Sequence, residues 1–111
     1  MDKTISIILR KPPHGGMYPA EGLRLGVACY HLEPTMIAMD DGVYTFLKNA
    51  DKTVYQKHID FLIECEIPLW VDKISLEKRR LTKNDLIDGV EIVETQTIQE
   101  RILKSFTCLL F

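Results

Sequence analysis

Short apolar segments rich in β-branched residues alternate along this chain with segments in which apolar residues recur at helical spacing. Strands that are apolar along their whole length are typical of parallel sheets covered by helices on both faces. With 111 residues the chain is long enough for one such domain and too short for two. The sequence therefore predicts one α/β domain, residues 1–111, with a five-stranded, mainly parallel sheet. The predicted strands are residues 5–9, 34–39, 67–71, 90–93 and 106–111.

The segment after the first strand has one apolar helical face. Gly22, Leu25, Gly26 and Cys29 share that face, and the helix is predicted to continue to Leu32. A glycine inside a helix costs about 1 kcal/mol relative to alanine. We therefore expect the two glycines to let this helix approach the sheet closely.

Three later helices are predicted to begin at capping boxes, in which a threonine is followed three residues later by Gln, Asp or Glu. These pairs are Thr53 with Gln56, Thr82 with Asp85, and Thr97 with Glu100. A further short helix is predicted over residues 43–48, and a short basic turn over residues 76–80.

Charge and hydropathy argue against several classes of function. Lys and Arg number 14 against 16 Asp and Glu, a net charge of -2, so no positive field would attract a nucleic acid. No segment approaches the roughly 20 apolar residues that cross a bilayer, and the first residues run directly into a strand, so no membrane anchor or secretion signal is expected.

Cysteine usage indicates a reducing compartment. Cys29, Cys65 and Cys108 are far apart and form no C-x-x-C pair, which disfavours a zinc site or a redox dithiol. A cytoplasmic location is therefore expected. Cys29 and Cys65 fall on apolar helical stripes and Cys108 lies in an apolar strand, so each is predicted to be a small, buried core residue.

In open parallel sheets, ligands bind beyond the carboxyl ends of the strands. This rule selects the residues that follow each predicted strand as a candidate binding crevice. They are His14 and Gly15 after the first strand, Asp40 and Asp41 after the second, Asp72 and Lys73 after the third, and Glu94 and Thr95 after the fourth.

Each candidate has a functional and a structural interpretation. His14 is either a proton carrier near neutral pH or an exposed loop histidine. Asp40 and Asp41 either bind a hard cation or share a proton, or else serve as a solvated turn residue and a helix cap, respectively. We adopt the structural interpretation, and no metal or cofactor is predicted because no metal-ligand spacing, Walker or G-x-G-x-x-G motif occurs.

The order of these features resembles the DsrE/DsrF-like family over almost the whole chain. The matching segments are Pro13-His14-Gly15, Glu21-Gly22-Leu23, Asp40-Asp41-Gly42-Val43, Leu81-Thr82, residues 85–90 and the apolar C-terminal strand. The resemblance implies a three-layer α/β/α sandwich that assembles into trimers or hexamers, with itself or with related subunits. It also implies, in some members, a sulfur relay through a cysteine that carries persulfide sulfur.

In those active members the cysteine lies just after the third strand. Residues 70–75 of this chain read Trp-Val-Asp-Lys-Ile-Ser, without a cysteine, and an aspartate cannot hold transferable sulfur. The chain is thus similar to the non-carrying, TusC-like members, and we expect a non-catalytic oligomeric subunit or partner-binding component. Whether Cys29 or Cys65 carries sulfur stays open.

Two other hypotheses remain. One is a small-ligand-binding protein or enzyme that uses the crevice at the strand ends. The other is a homo-oligomer whose assembly buries the C-terminal segment, residues 106–111.

Overall fold

The computed structural model describes residues 4–111, and within them five strands form one sheet. The strand order is β4-β3-β2-β1-β5, and every pairing is parallel. The predicted α/β class with a five-stranded parallel sheet is therefore confirmed. The strands are β1 (Ile5–Leu9), β2 (Thr35–Ala38), β3 (Leu69–Asp72), β4 (Glu91–Val93) and β5 (Thr107–Leu110).

Four α-helices and three 3₁₀ helices connect the described strands. The α-helices are α1 (Tyr18–Ala28), α2 (Gln56–Glu64), α3 (Lys73–Lys78) and α4 (Thr95–Lys104). The 3₁₀ helices are Tyr30–Leu32, Asp40–Phe46 and Lys83–Asp85. None of the helices in residues 4–111 combines the length and the apolar character that a membrane span requires.

The sheet separates two apolar cores. The large core contains Ile7 of β1 together with buried side chains of α1 and α2, such as Leu23 and Leu62. The small core consists of the buried residues Ile8, Ile37, Val93 and Ile98, the last from α4. Because successive strand residues point to opposite faces, β1 contributes to both cores, and the domain has three layers.

The direction in which the chain crosses the sheet changes after β4. From β1 to β4 each strand lies beside the previous one, whereas β5 lies beside β1 at the opposite edge. Since crossovers between parallel strands are right-handed, this reversal sends α4 to the other face of the sheet from α1, α2 and α3. The connections that leave β3 and β4 thus diverge, and such a switch point is where sheets of this kind bind ligands.

The two glycines of α1 provide the close approach that was expected. A Cβ atom at Gly22 would lie 2.5 Å from Cδ2 of Leu9, and one at Gly26 would lie 2.7 Å from Sδ of Met36. Both glycines therefore allow α1 to pack directly against strand side chains.

Several predicted helix limits were wrong. The α-helix expected to reach Leu32 ends at Ala28, and a 3₁₀ helix follows it. The helix expected over residues 43–48 is the 3₁₀ helix Asp40–Phe46. The basic turn expected at residues 76–80 is largely α3, which begins three residues earlier at Lys73 because Asp72 caps it.

Of the three predicted capping boxes, only the one at Thr82 and Asp85 is present, and it encloses a 3₁₀ turn. Thr53 instead donates its hydroxyl and its backbone N–H to Asp51, so α2 begins at Gln56 without a side-chain cap. Thr97 lies inside α4, which begins at Thr95.

Candidate functional site

Asp72 lies at the switch point, where β3 ends and α3 begins. Its side chain is 3% exposed. One carboxylate oxygen, Oδ2, accepts hydrogen bonds from the backbone N–H (3.1 Å) and the hydroxyl (2.6 Å) of Ser75. The other, Oδ1, accepts a hydrogen bond from the hydroxyl of Thr95, the first residue of α4. Aspartate is among the preferred residues for an N-cap, and here it also joins the ends of β3 and β4.

Ser75 extends this network to the end of β2. Its Oγ accepts the backbone N–H of Asp40 at 2.9 Å while its hydroxyl proton is donated to Asp72. Asp40 has a φ of 51°, a left-handed conformation that turns the chain after β2. The carboxyl ends of three neighbouring strands are therefore linked by hydrogen bonds: Ser75 joins the ends of β2 and β3, and Asp72 joins the ends of β3 and β4.

An ion pair spans the same two strand ends at the surface. Nζ of Lys73 donates to Oε1 of Glu94 at 3.1 Å, which joins the first residue of α3 to the N-cap of α4. The hydrogen bond to Glu94 and its negative charge raise the pKa of Lys73. This contact and the buried network of Asp72 lie at the switch point, the position at which sheets of this kind bind ligands.

The two neighbouring aspartates at the end of β2 pair with different arginines. Oδ2 of Asp40 lies 3.4 Å from Nε of Arg10, whereas Oδ1 of Asp41 lies 2.9 Å from Nη2 of Arg79. Asp41 is not the helix cap that the sequence predicted, because Met39 holds the N-cap position and both aspartates lie in the first turn. The Arg10–Asp40 pair, in which both side chains are exposed, contributes little to stability.

Arg79 also holds the aromatic side chain of Tyr44 in place. Its guanidinium lies 5.9 Å from the centre of the Tyr44 ring and donates through Nη1 to the Ser75 carbonyl at 3.1 Å. The His14 ring meets Tyr44 edge-on, with 6.5 Å between ring centres. His14, Tyr44 and Arg79 thus form a row at the surface.

Two cavities lie near the ends of β1 and β2. The first, of about 400 Å³, is bounded by residues 13–20 and 44–55, with mostly apolar walls and His14, Asn49 and Asp51 as polar groups. The second, of about 390 Å³, is lined by Arg10, Lys11, Tyr18, Asp40, Asp41, Leu110 and Phe111.

The predicted crevice residues therefore do not share one site. His14 belongs to the first cavity, and Gly15, with a φ of 79°, turns the adjoining loop. Asp40 and Asp41 line the second cavity. Asp72 and Lys73 lie apart at the switch point and line neither of these two cavities.

None of the three cysteines lies at the switch point. Cys29 and Cys65 are half-buried and follow the last residues of α1 and α2. Cys108 is exposed, so its prediction as a core residue was wrong: β5 is an edge strand, and its side chains are only partly covered. Partial desolvation of the sulfur atom raises the pKa of half-buried Cys29 and, although the residue is exposed, also that of Cys108. Within residues 4–111 no group of three or more His, Cys, Asp or Glu side chains is placed to hold a metal ion.

Sequence reasoning missed Ser75, Tyr44 and Arg79, and it placed Thr95 at the end of the fourth strand without identifying Asp72 as its partner. A signal existed for Ser75, because an aspartate followed three residues later by a backbone donor is the spacing of an N-cap. Thr95 is 23 residues from Asp72, and Arg79 is 38 residues from Asp41. No local pattern connects residues at such separations.

Residues 3–111 match the DsrE/DsrF-like family. The chain is 30% identical, over an alignment of 111 residues, to the intracellular sulfur oxidation protein DsrF of Allochromatium vinosum, and the alignment covers 92% of this chain and 82% of that protein. The fold is similar to the crystal structure of the YchN protein of E. coli, with a TM-score of 0.83, 24% identity and complete coverage of both chains. It is also similar to MTH1491 of Methanobacterium thermoautotrophicum, a protein of unknown function, with a TM-score of 0.74, 13% identity, and coverage of 99% of this chain and 100% of that one.

Proposed function

This chain belongs to the DsrE/DsrF-like family, and from that premise we propose that it is a non-catalytic, oligomeric subunit or partner-binding component of a sulfur relay. The similarity to a DsrF protein of intracellular sulfur oxidation supports the link to sulfur chemistry. The proposed location is the cytoplasm, where cysteines without disulfide partners stay reduced.

The observation that carries this proposal is the state of Asp72. The family resemblance implies that active members carry a sulfur-bearing cysteine just after the third strand, and Asp72 is the last residue of β3. A sulfur carrier needs an accessible thiolate, because the thiolate is the nucleophile in sulfur exchange. Asp72 offers instead a buried carboxylate whose two oxygens accept three hydrogen bonds.

The chain's own thiols are poor replacements for the absent carrier. Partial desolvation of the sulfur raises the pKa of Cys29 and of Cys108, which lowers the fraction of thiolate at neutral pH. Cys65 follows α2 and lines a cavity with Thr35 and Pro68, residues at the entry to β2 and β3. This cavity lies at the amino end of the sheet, opposite the switch point.

Intact-mass measurement after incubation with limiting inorganic polysulfide at neutral pH tests the proposal. We expect no stable gain of one sulfur atom in the parent protein, as in a variant with all three cysteines replaced by serine. Lys73→Cys, which places a thiol on an exposed side chain beside the switch point, serves as the positive control and should gain sulfur. Stoichiometric loading of the parent that disappears in Cys29→Ser, Cys65→Ser or Cys108→Ser would overturn the non-carrying assignment.

The oligomeric part of the proposal is tested by native mass spectrometry at micromolar concentration. We expect an assembly of several copies for the isolated chain, or a mixed assembly when the protein is recovered from its own cells. A monomer under both conditions would contradict it.

A second candidate function, binding of a small molecule, is favoured by the cavity beside His14. Its volume of about 400 Å³ lies in the range typical of ligand pockets, and its apolar walls carry a few polar groups. A thermal-shift screen with metal ions, nucleotides and thiol metabolites tests this function. A ligand that raises the melting temperature of the parent but not of Tyr44→Ala would support it, and the absence of any shift would contradict it.

A further inference from the structure

Two of the apolar side chains that line the first cavity, of about 400 Å³, are exposed to solvent. They are Met17, 53% exposed, and Val54, 60% exposed. Burying such side chains against an apolar ligand is favourable, which is why exposed apolar surface at a cavity is typical of a binding site. The volume lies in the lower part of the range of about 300–1,000 Å³ that ligand pockets occupy, so the cavity suits a ligand with a small apolar body.

Two tyrosine rings form the aromatic part of the cavity wall, and other contacts hold both in place. The Tyr44 ring meets His14 edge-on and lies 5.9 Å from the Arg79 guanidinium. Tyr55 is buried, and its hydroxyl donates to the Thr45 carbonyl at 2.9 Å. Because these contacts fix both rings in advance, a ligand pays little entropy to order them.

Asp51 is the only Asp, Glu, Lys or Arg among the described residues that line this cavity. One of its carboxylate oxygens, Oδ1, accepts the hydroxyl of Thr53 at 2.6 Å and the backbone N–H of Thr53 at 3.1 Å. The other, Oδ2, makes no hydrogen bond or ion pair within residues 4–111. The hydrogen bonds from Thr53 lower the pKa of Asp51, so this carboxylate is an anion at neutral pH with one oxygen free.

Positive side chains near the cavity contact other acceptors. Lys52 follows the aspartate along the chain, and its ammonium group donates to three backbone carbonyls of residues 47–50 at 2.7–3.1 Å. Arg79 pairs with Asp41 at 2.9 Å. Lys11 lines the second cavity and not the first. No cationic side chain of the described residues therefore pairs with the free carboxylate oxygen.

The amino end of α1 also borders the cavity, and a helix N-terminus attracts anions. Two features of α1 weaken that attraction. Pro19, in its first turn, has no backbone N–H to offer a ligand, and Glu21 places a carboxylate in the same turn. The charge that distinguishes this cavity is thus the negative charge of Asp51.

We propose that the first cavity binds a small organic amine, whose apolar body packs against Tyr44 and whose ammonium group donates a hydrogen bond to Oδ2 of Asp51. Asn49 lines the same cavity, and its amide oxygen is a second acceptor for the three N–H donors of an ammonium group. This inference rests on the second candidate function, the binding of a small molecule, and names the chemical class of the ligand.

A titration followed by amide NMR with three probes tests the charge that the cavity prefers. Phenethylamine, phenethyl alcohol and hydrocinnamate carry the same aromatic body with a cationic, a neutral and an anionic head group. At about pH 8 an imidazole is uncharged and an amine is still protonated. We expect phenethylamine to bind about fivefold more tightly than the alcohol, as for an exposed ion pair, and hydrocinnamate to bind most weakly.

The ranking of the probes separates the amine from other small ligands. Equal affinity for phenethylamine and phenethyl alcohol, or tighter binding of hydrocinnamate, would overturn the amine but leave small-molecule binding at this cavity intact. No detectable binding of phenethylamine would also overturn the amine, whereas small-molecule binding itself is decided by the broader thermal-shift screen.

Two matched variants test the role of Asp51. Asp51→Asn keeps an oxygen acceptor for Thr53 and removes the charge, so it should lower the affinity for phenethylamine about fivefold and leave that for phenethyl alcohol unchanged. Asp60→Asn removes the same charge from an exposed residue of α2 outside the cavity and should change neither affinity. Circular dichroism checks that both variants are folded. Parental affinity for phenethylamine in Asp51→Asn would overturn the proposal, and this result does not bear on whether the protein carries sulfur.

Discussion

Removal of the Asp72 carboxylate is expected to destabilise the protein markedly, although the proposed function gives this group no chemical step. In Asp72→Ala, the backbone N–H and the hydroxyl of Ser75 and the hydroxyl of Thr95 all lose their acceptor. Ser75 is buried, so water cannot freely replace the lost oxygen atoms.

The structure gives the order of magnitude of this loss. Replacing an N-cap aspartate by alanine costs about 1 kcal/mol. Each buried hydroxyl left without a partner adds about 1 kcal/mol, and the lower cost of burying a neutral side chain offsets part of the sum. We therefore expect Asp72→Ala to lower the free energy of unfolding by about 2–4 kcal/mol. Asp72→Asn, which keeps one oxygen acceptor, should lose about 1 kcal/mol.

Urea unfolding followed by fluorescence measures these losses directly, since Trp70 is the one tryptophan of the sequence and lies in β3 beside Asp72. Protein concentration is held constant because association shifts apparent stability. Asp60→Ala, at an exposed residue of α2, is the control and should change stability by less than about 0.5 kcal/mol. If the free energy of unfolding of Asp72→Ala differed from that of the parent by less than about 0.5 kcal/mol, the hydrogen-bonded network of Asp72 would have no stabilising role.

Three further predictions concern other parts of the molecule. Gly42→Ala should cost about 3 kcal/mol or more, because a Cβ atom there would lie 1.7 Å from the Leu9 carbonyl oxygen; an unchanged urea midpoint would contradict this. Burial raises the pKa of Tyr55 to about 12, whereas a tyrosine in an unfolded chain has a pKa of about 10. The stability that protonated Tyr55 contributes is therefore complete below about pH 10 and is lost as the pH rises to about 12. Tyr55→Phe should abolish that alkaline loss of stability. It should also lower the free energy of unfolding at neutral pH by about 1 kcal/mol, because it removes the hydrogen bond to the Thr45 carbonyl. An alkaline loss equal to that of the parent would show that Tyr55 is not the group responsible. Because partial burial raises the pKa of Cys108, the rate of its alkylation by iodoacetamide should still be rising with pH at the ordinary thiol pKa of about 8.5, and a rate already maximal at neutral pH would contradict this.

The strands could be predicted from sequence because each carries a local signature. An apolar, β-branched run buried on both faces is recognisable without knowing its neighbours. The capping box of Thr82 and Asp85 was predictable for the same reason, since its bonds span three residues. The box at Thr53 failed because Asp51, two residues earlier, accepts both the hydroxyl and the N–H of that threonine.

The exposure of β5 could not be predicted, because it depends on strand order. The alternation of Phe106, Cys108 and Leu110 identified the strand correctly. Whether its side chains are covered depends on β5 lying at the edge and on the path of α4 across the sheet. Neither feature is encoded within a few residues of Cys108.

Strand order also decides which predicted site residues meet. The positional rule placed His14, Asp40 and Asp72 at the same edge of the sheet, but β2 separates β1 from β3. Asp40 and Asp72 are linked through Ser75, whereas His14 borders a different cavity. The rule therefore identifies an edge, and the order of strands determines which residues form a site.

The N-terminus of α3 would by itself favour a reactive thiol at the end of β3, because a helix N-terminus lowers the pKa of a cysteine. A carrier thiolate must also be reachable by a partner, and Asp72 is only 3% exposed. Its carboxylate accepts hydroxyl hydrogen bonds from both Ser75 and Thr95, which hold it away from water. A sulfur carrier at this position would therefore need a more open end of β3, and the burial of Asp72, together with the absence of a cysteine there, supports the proposed non-carrying role.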